Sequence, residues 1–174
     1  MIEYTTPQIA ANTDSSDVHL TRADIWRGLM WKAEFPTLFV KPISECRIVA
    51  TFPDGLLREI LHTDDLGTEW IQERIFLDPG HVMTFLRMNG RVHGQILNLI
   101  EGPDDEPTLR FAFTLGIEGE PHGGAAEQRY LETFEQGYIV AVNATLAAVR
   151  EAVRTGTDPT AGLARERAAL EAAR

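Results

Sequence analysis

A single cysteine, Cys46, stands in a chain of 174 residues. That excludes an internal disulfide and every metal site built from several thiolates. Basic residues are in the minority: 16 Lys and Arg face 26 Asp and Glu, for a formal charge of −10. A surface of that sign repels nucleic acid and anionic membranes, so neither is expected as a partner. No apolar run approaches the ~18 residues of a membrane span, which argues against membrane insertion. The opening residues MIEYTTPQIA hold neither a basic stretch nor an apolar one, so no secretory signal is read and a cytoplasmic protein is expected. Also missing are a Gly-x-Ser-x-Gly elbow, a Cys–His arrangement and a Gly-x-Gly-x-x-Gly loop. Nucleophilic catalysis and nucleotide binding are therefore poorly supported, and no cofactor is expected.

The chain has the composition of a globular domain, 44% apolar and 24% charged. At this length one core buries roughly 70% of the unfolded surface. Residues 2–11 are compatible with an extended strand. In Leu20-Thr21-Arg22-Ala23-Asp24-Ile25, Thr21 is an N-cap with an acidic residue at N3, and Leu20 and Ile25 take the hydrophobic-staple positions. Ile25, Trp26, Leu29, Met30 and Ala33 then recur at helical spacing until Pro36 stops the helix.

From Glu45 to Glu118 the pattern changes to short β runs separated by turns. Pro53-Asp54-Gly55 reads as a turn with Gly in the left-handed position, pairing Phe52 with Leu56, Ala50 with Arg58 and Ile48 with Ile60. The turn 64–67 pairs Ile60 with Ile71, Arg58 with Glu73 and Leu56 with Ile75. Both turns bring Cys46, Ile48, Ala50, Phe52, Leu56, Arg58, Ile60, Ile71, Glu73 and Ile75 onto one face. A slip of one residue would oppose Glu59 and Glu73, which like charges disfavour. For the strand after Asp78-Pro79-Gly80, either Thr84, Leu86 and Met88 or Met83, Phe85 and Arg87 face inward. Two further strands cover 95–101 and 108–116.

Past Pro121-His122-Gly123-Gly124, a helix from Ala125 to Thr155 carries Leu131, Phe134, Tyr138, Val142, Leu146, Val149 and Val153 at intervals of three or four. Such a helix is roughly 45 Å long and crosses an entire small domain. Gly137 inside it costs about 1 kcal/mol relative to Ala and marks a bend or a close contact. Gly156 and Pro159 end the helix. The segment 161–174 lacks a continuous apolar face, so residues 1–158 are read as one domain and 159–174 as a mobile tail.

One antiparallel sheet with one apolar face needs a cover, and the long helix supplies it. Leu20-Thr21-Arg22-Ala23-Asp24-Ile25-Trp26-Arg27-Gly28-Leu29, Ala33-Glu34-x-Pro36-x-Leu38-Phe39-Val40, Gly94-x3-Asn98-x-Ile100-Glu101, Leu109-Arg110-Phe111-x-Phe113 and the Tyr130–Val149 helix resemble the AtaL-like family of the SRPBCC (START/polyketide cyclase) superfamily. The resemblance covers roughly 1–155. It implies an α+β helix-grip fold, a curved antiparallel sheet of six to seven strands around the C-terminal helix, with a ligand-sized cavity between them. It carries over no fixed catalytic set.

Arg58 and Glu73 are the sharpest pair. Two charges on an apolar face cost several kcal/mol each unless they are paired or wetted by a cavity. They read either as a structural cross-strand ion pair or as cavity groups, Arg58 for a ligand carboxylate or carbonyl and Glu73 for proton transfer. Asn98, mid-strand where a β-former is expected, turns its amide to the pocket or bonds an edge or bulge. Trp26, Phe113, Phe134 and Tyr138 either pack the core or line the cavity. His62 with Asp64 and Asp65 reads as a solvated turn, and no metal is expected.

Three functions remain. The first is a binding protein for a small, largely apolar or amphipathic molecule with a polar end. The second is an enzyme of polyketide cyclase, aromatase or lyase type, using Glu73 or Tyr138 for proton transfer; it needs Glu73 to face free volume. The third is a protein-interaction module, which needs a large exposed apolar patch. A homodimer stays open.

Overall fold

The computed structural model describes residues 1–172, the side chains of 134–136 and 171 excepted. Its strands are β1 (Ile2–Thr5), β2 (Ile9–Ala10), β3 (Ile43–Phe52), β4 (Gly55–Asp64), β5 (Gly67–Asp78), β6 (Val82–Arg87), β7 (Val92–Glu101) and β8 (Thr108–Ile117). The helices are α1 (Arg22–Glu34), α2 (Ala125–Thr155) and α3 (Ala161–Ala172), with a short 3-10 turn at Pro36–Leu38. The strands form one antiparallel sheet in the order β1-β8-β7-β6-β5-β4-β3, with β2 also on β8. Helices α1 and α2 cover its inner face. This is the α+β helix-grip arrangement expected, with the N-terminal strand split into β1 and β2.

The expected β4–β5 register is present: Leu56 pairs with Ile75, Arg58 with Glu73 and Ile60 with Ile71. Glu59 faces Gln72, whose amide donates to Glu59 Oε1 at 3.0 Å. The β3–β4 register differs from the expected one. Phe52 pairs with Gly55, so the turn holds two residues, and an irregularity between Ile48 and Ala50 then sets Ile48 opposite Arg58 and Cys46 opposite Ile60. Gly55 lies in the strand at φ 144°, where a Cβ would meet the Ile75 carbonyl at 1.9 Å. Ala50 pairs with Leu57, one residue out of step with Arg58, and Phe52 is exposed beneath the Arg74 guanidinium. Those two residues therefore leave the inner face. On β6 the inward set is Met83, Phe85 and Arg87.

Helix α1 is fixed at both ends. The capping box is formed: Asp24 accepts from the Thr21 N–H at 3.0 Å, and Thr21 Oγ1 accepts from the Asp24 N–H at 3.3 Å. Arg22 donates to Asp104 and to the carbonyls of Gly80 and Ile100. At the other end, Arg58 donates to the carbonyls of Lys32 and Ala33, and Arg167 of α3 donates to that of Glu34 at 2.6 Å. Cations there satisfy orphan carbonyls and oppose the negative end of the helix dipole.

Within the segment 159–174, expected to be a mobile tail, Ala161–Ala172 is helical and the Arg167 guanidinium lies 4.1 Å from the Phe35 ring centroid. Its Ala, Glu and Arg content favours a helix without an apolar stripe, and its contact is cationic. No helix among the described residues is long and apolar enough to cross a membrane.

Candidate functional site

The second half of α2 is packed tightly against α1, with Val142, Leu146 and Val149 buried. The first half meets β8 through Tyr138, whose ring stacks on Phe113, and leaves a gap toward β4–β7. Between Tyr130–Ala141 of α2 and the inner face of β4–β7 lies a cavity of about 510 Å³. Phe39, Val40, Ile43, Phe85 and Ile96 make much of its wall apolar. Its rim is exposed at Lys41, Asp65, Thr133 and Val140, which leaves the cavity open to solvent on that side.

Charges gather on its buried wall. Glu73 is 2% exposed and accepts from Arg58 Nε at 2.9 Å and Nη2 at 2.6 Å through Oε2, and from Arg87 Nε at 3.3 Å through Oε1. Burial alone would raise the Glu73 carboxyl, but the two arginines hold it below the usual carboxylate range. Arg58 makes four hydrogen bonds in all, two to Glu73 and two to the end of α1. It is a structural tie between β4, β5 and α1. Arg87 is less satisfied: it is 6% exposed, lines the cavity beside the Tyr130 hydroxyl with which it hydrogen-bonds, and its buried Nη1 has no acceptor among the described residues.

Lys32 comes into the same wall from α1. Its Nζ donates to Asn98 Oδ1 at 2.7 Å and sits 3.7 Å from the Phe111 ring centroid. Asn98 in turn donates to the Met83 carbonyl at 3.3 Å. Among the described residues no carboxylate lies within ion-pair distance of that ammonium. Burial, reinforced by Arg58 and only partly offset by Glu73, lowers the Lys32 pKa to about 7. His62 also lines the cavity, and burial together with Arg87 lowers it to about 4. The phenols at the roof move the other way: burial raises Tyr130 to about 12 and Tyr138 well above its ordinary value.

Of the residues expected to line a pocket, Arg58, Glu73 and Tyr138 do so. Tyr138 stacks on Phe113 at 4.8 Å between ring centroids, and Phe113 is core beneath it. Asn98 is fully buried behind Lys32, where it supports the ammonium. Trp26 is half-buried on α1, packed against the main core, and is not among the residues lining the cavity. The Phe134 side chain lies outside the described residues. Sequence reasoning missed Lys32, although it falls seven residues after Ile25 and three after Leu29, on the buried stripe of α1. It left Arg87 open because the β6 alternation admits either face.

The family model described as acetylaranotin biosynthesis cluster protein L matches residues 2–156. No curated protein matches the chain in sequence. Among solved structures, the chain is similar to the Zhui aromatase/cyclase from Streptomyces sp. R1128, with TM-score 0.65 and 18% identity over 89% of this chain and 96% of that one. It is also similar to the di-domain ARO/CYC StfQ from the steffimycin biosynthetic pathway, with TM-score 0.67 and 12% identity over 89% of this chain. That match covers 52% of StfQ, about half of the two-domain protein. A START superfamily protein from Mycobacterium smegmatis gives TM-score 0.62 and 12% identity over 86% and 97% of the two chains. At such identities the likeness establishes the fold.

Proposed function

The chain belongs to the family described as acetylaranotin biosynthesis cluster protein L, and from that premise and the cavity we propose that it binds a small, largely apolar molecule with one polar end. The observation that carries this reading is a cavity of about 510 Å³ whose apolar walls end on buried charge. A void of that size is of the order of known small-ligand sites, which are concave and mostly apolar with a few fixed polar groups. Proton transfer by Glu73 has no support in the geometry, because both of its oxygens accept from arginines and the carboxylate is held ionised. The exposed aromatics Phe52, Phe76 and Trp70 each carry a guanidinium of Arg74 or Arg47 against the ring, so the apolar surface there is interleaved with positive charge.

The test is a fluorescence titration with the uncharged apolar probe N-phenyl-1-naphthylamine, alongside native mass spectrometry of the purified protein for a co-purified molecule. Saturable binding is expected in the unaltered protein and weaker binding in Gly137→Leu, which adds bulk to an exposed residue of the cavity lining. A ligand at 100 times its Kd should stabilise the fold by about 2.7 kcal/mol, several degrees in a thermal melt. The reading is lost if the probe does not saturate and a broad ligand screen gives no stabilisation.

A further inference from the structure

Resting on that binding reading, we propose that the polar end of the ligand is an organic anion of carboxylate type, received by Arg87 and Lys32, and that its binding draws a proton onto Lys32. The buried wall sets Lys32, Arg58 and Arg87 against one buried carboxylate, Glu73; the other carboxylates lining the cavity are Asp64, half-buried beside His62 and Tyr130, and the exposed Asp65. Arg58 and Glu73 satisfy each other and the end of α1. The surplus positive charge therefore belongs to Arg87 and Lys32. Each lacks something an anion supplies. Arg87 interacts with Glu73 and the Tyr130 hydroxyl, and its buried Nη1 has no acceptor among the described residues. The Lys32 ammonium has a neutral amide and an aromatic face for company. A buried cation without a counter-charge is costly, and a ligand anion removes that cost while its apolar body fills the cavity. Both cations line the one cavity together with Phe85, whose ring lies 5.5 Å from Lys32 Nζ and 5.0 Å from Arg58 Cζ.

The proton follows from the same geometry. Lys32 faces Arg58 on β4, Glu73 on β5, Asn98 on β7, the Phe85 and Phe111 rings, and the cavity that Lys41, His62, Asp64, Asp65, Arg87, Tyr130 and Tyr138 share. Glu73 is ionised, and His62, with its pKa near 4, is neutral at pH 7. The two phenols stay protonated far above neutrality, and burial raises the Cys46 thiol. Lys32, near 7, is the group of this set that titrates between pH 6 and 9. An anion beside it favours the ammonium, so binding raises its pKa and takes up a proton wherever free Lys32 is partly neutral. Affinity is then greatest below the pKa of free Lys32 and declines as pH rises through it.

The experiment compares two probes with nearly the same aromatic skeleton: 8-anilinonaphthalene-1-sulfonate, which stays anionic throughout, and uncharged N-phenyl-1-naphthylamine. The sulfonate probe is expected to bind about tenfold more weakly at pH 9 than at pH 6, the equivalent of a one-unit rise in the Lys32 pKa. The neutral probe should vary by less than twofold. Lys32→Met should abolish the pH slope of the sulfonate probe. Arg87→Met should weaken the sulfonate probe at every pH and retain the slope. A flat profile in the unaltered protein, or an unchanged slope in Lys32→Met, overturns the inference. If the neutral probe binds and the sulfonate does not, the anion is refuted and the cavity reading stands. If neither binds, both fall.

Discussion

Gly28 in α1 and Gly137 in α2 both stand where a helix is weakened by glycine, and they divide the interior into two halves. A Cβ on Gly28 would lie 2.1 Å from Val149 Cγ2, so the two helices cross with no room between them. A Cβ on Gly137, an exposed residue of the cavity lining, would meet nothing within 4 Å. One half is dry and close-packed, and its buried residues are almost all apolar. The other is hollow and collects Lys32, Arg58, Glu73 and Arg87. Buried charge is tolerated where it is paired and where a void admits water or a ligand. The contrast makes the charges part of the hollow half's construction.

The largest effect should come from breaking the charge cluster. Glu73→Gln leaves Arg58 and Arg87 buried without a counter-charge, a loss of about 3–5 kcal/mol for a dry site. Urea unfolding measures it. A loss under about 1 kcal/mol would mean that water in the cavity already screens the arginines, so that this half behaves as solvent. Because the folded Glu73 carboxyl is held below its unfolded value, its contribution is complete above about pH 4.3 and is lost as pH falls through the folded pKa. The variant should lack that part of the acid decline.

Next in size is Gly28→Ala. Helix propensity gains about 1 kcal/mol, but the methyl group enters Val149 and forces α1 and α2 apart. Overpacking of this kind costs about 1–3 kcal/mol net of relaxation. A stabilised variant would show that the crossing is looser than its contact distance and would weaken the division into dry and hollow halves.

The dry half and the sheet were legible where local signals agreed. Two turns and a run of alternating apolar residues placed Arg58 opposite Glu73, and the Thr21–Asp24 capping box with its staple began α1 at the right residue. The β3–β4 pairing misled because Pro53-Asp54-Gly55 was read as a complete turn. Gly55 in fact belongs to the strand, forced there by the approach of the Ile75 carbonyl, and the compensating irregularity near Val49 has no sequence mark. The hollow half was harder. A lysine on an amphipathic helix is ordinarily solvated, and only its spacing from Ile25 and Leu29 marks Lys32 as part of the buried stripe. That Arg58 would be engaged by helix carbonyls, leaving Arg87 with a buried N–H unmatched, depends on long-range packing that no local pattern encodes.

The smallest effect expected is a gain. Gly137→Ala adds a methyl group where there is open space, removes backbone freedom from the unfolded chain and raises helix propensity, with no neighbour to displace. Stabilisation of about 0.5–1 kcal/mol should follow, read as a higher urea midpoint with an unchanged slope. One methyl group at the cavity wall removes little of its volume, so N-phenyl-1-naphthylamine should bind within about twofold of the unaltered protein, unlike Gly137→Leu. The two substitutions therefore separate helix energetics from occupancy at one position. A destabilised alanine variant would mean that glycine serves the backbone there, as a bend, and the reading of Gly137 as the hollow half's counterpart to Gly28 would fail. A stabilised variant that lost the probe entirely would instead place the binding contacts directly against this turn of α2 and shrink the usable cavity to its neighbourhood.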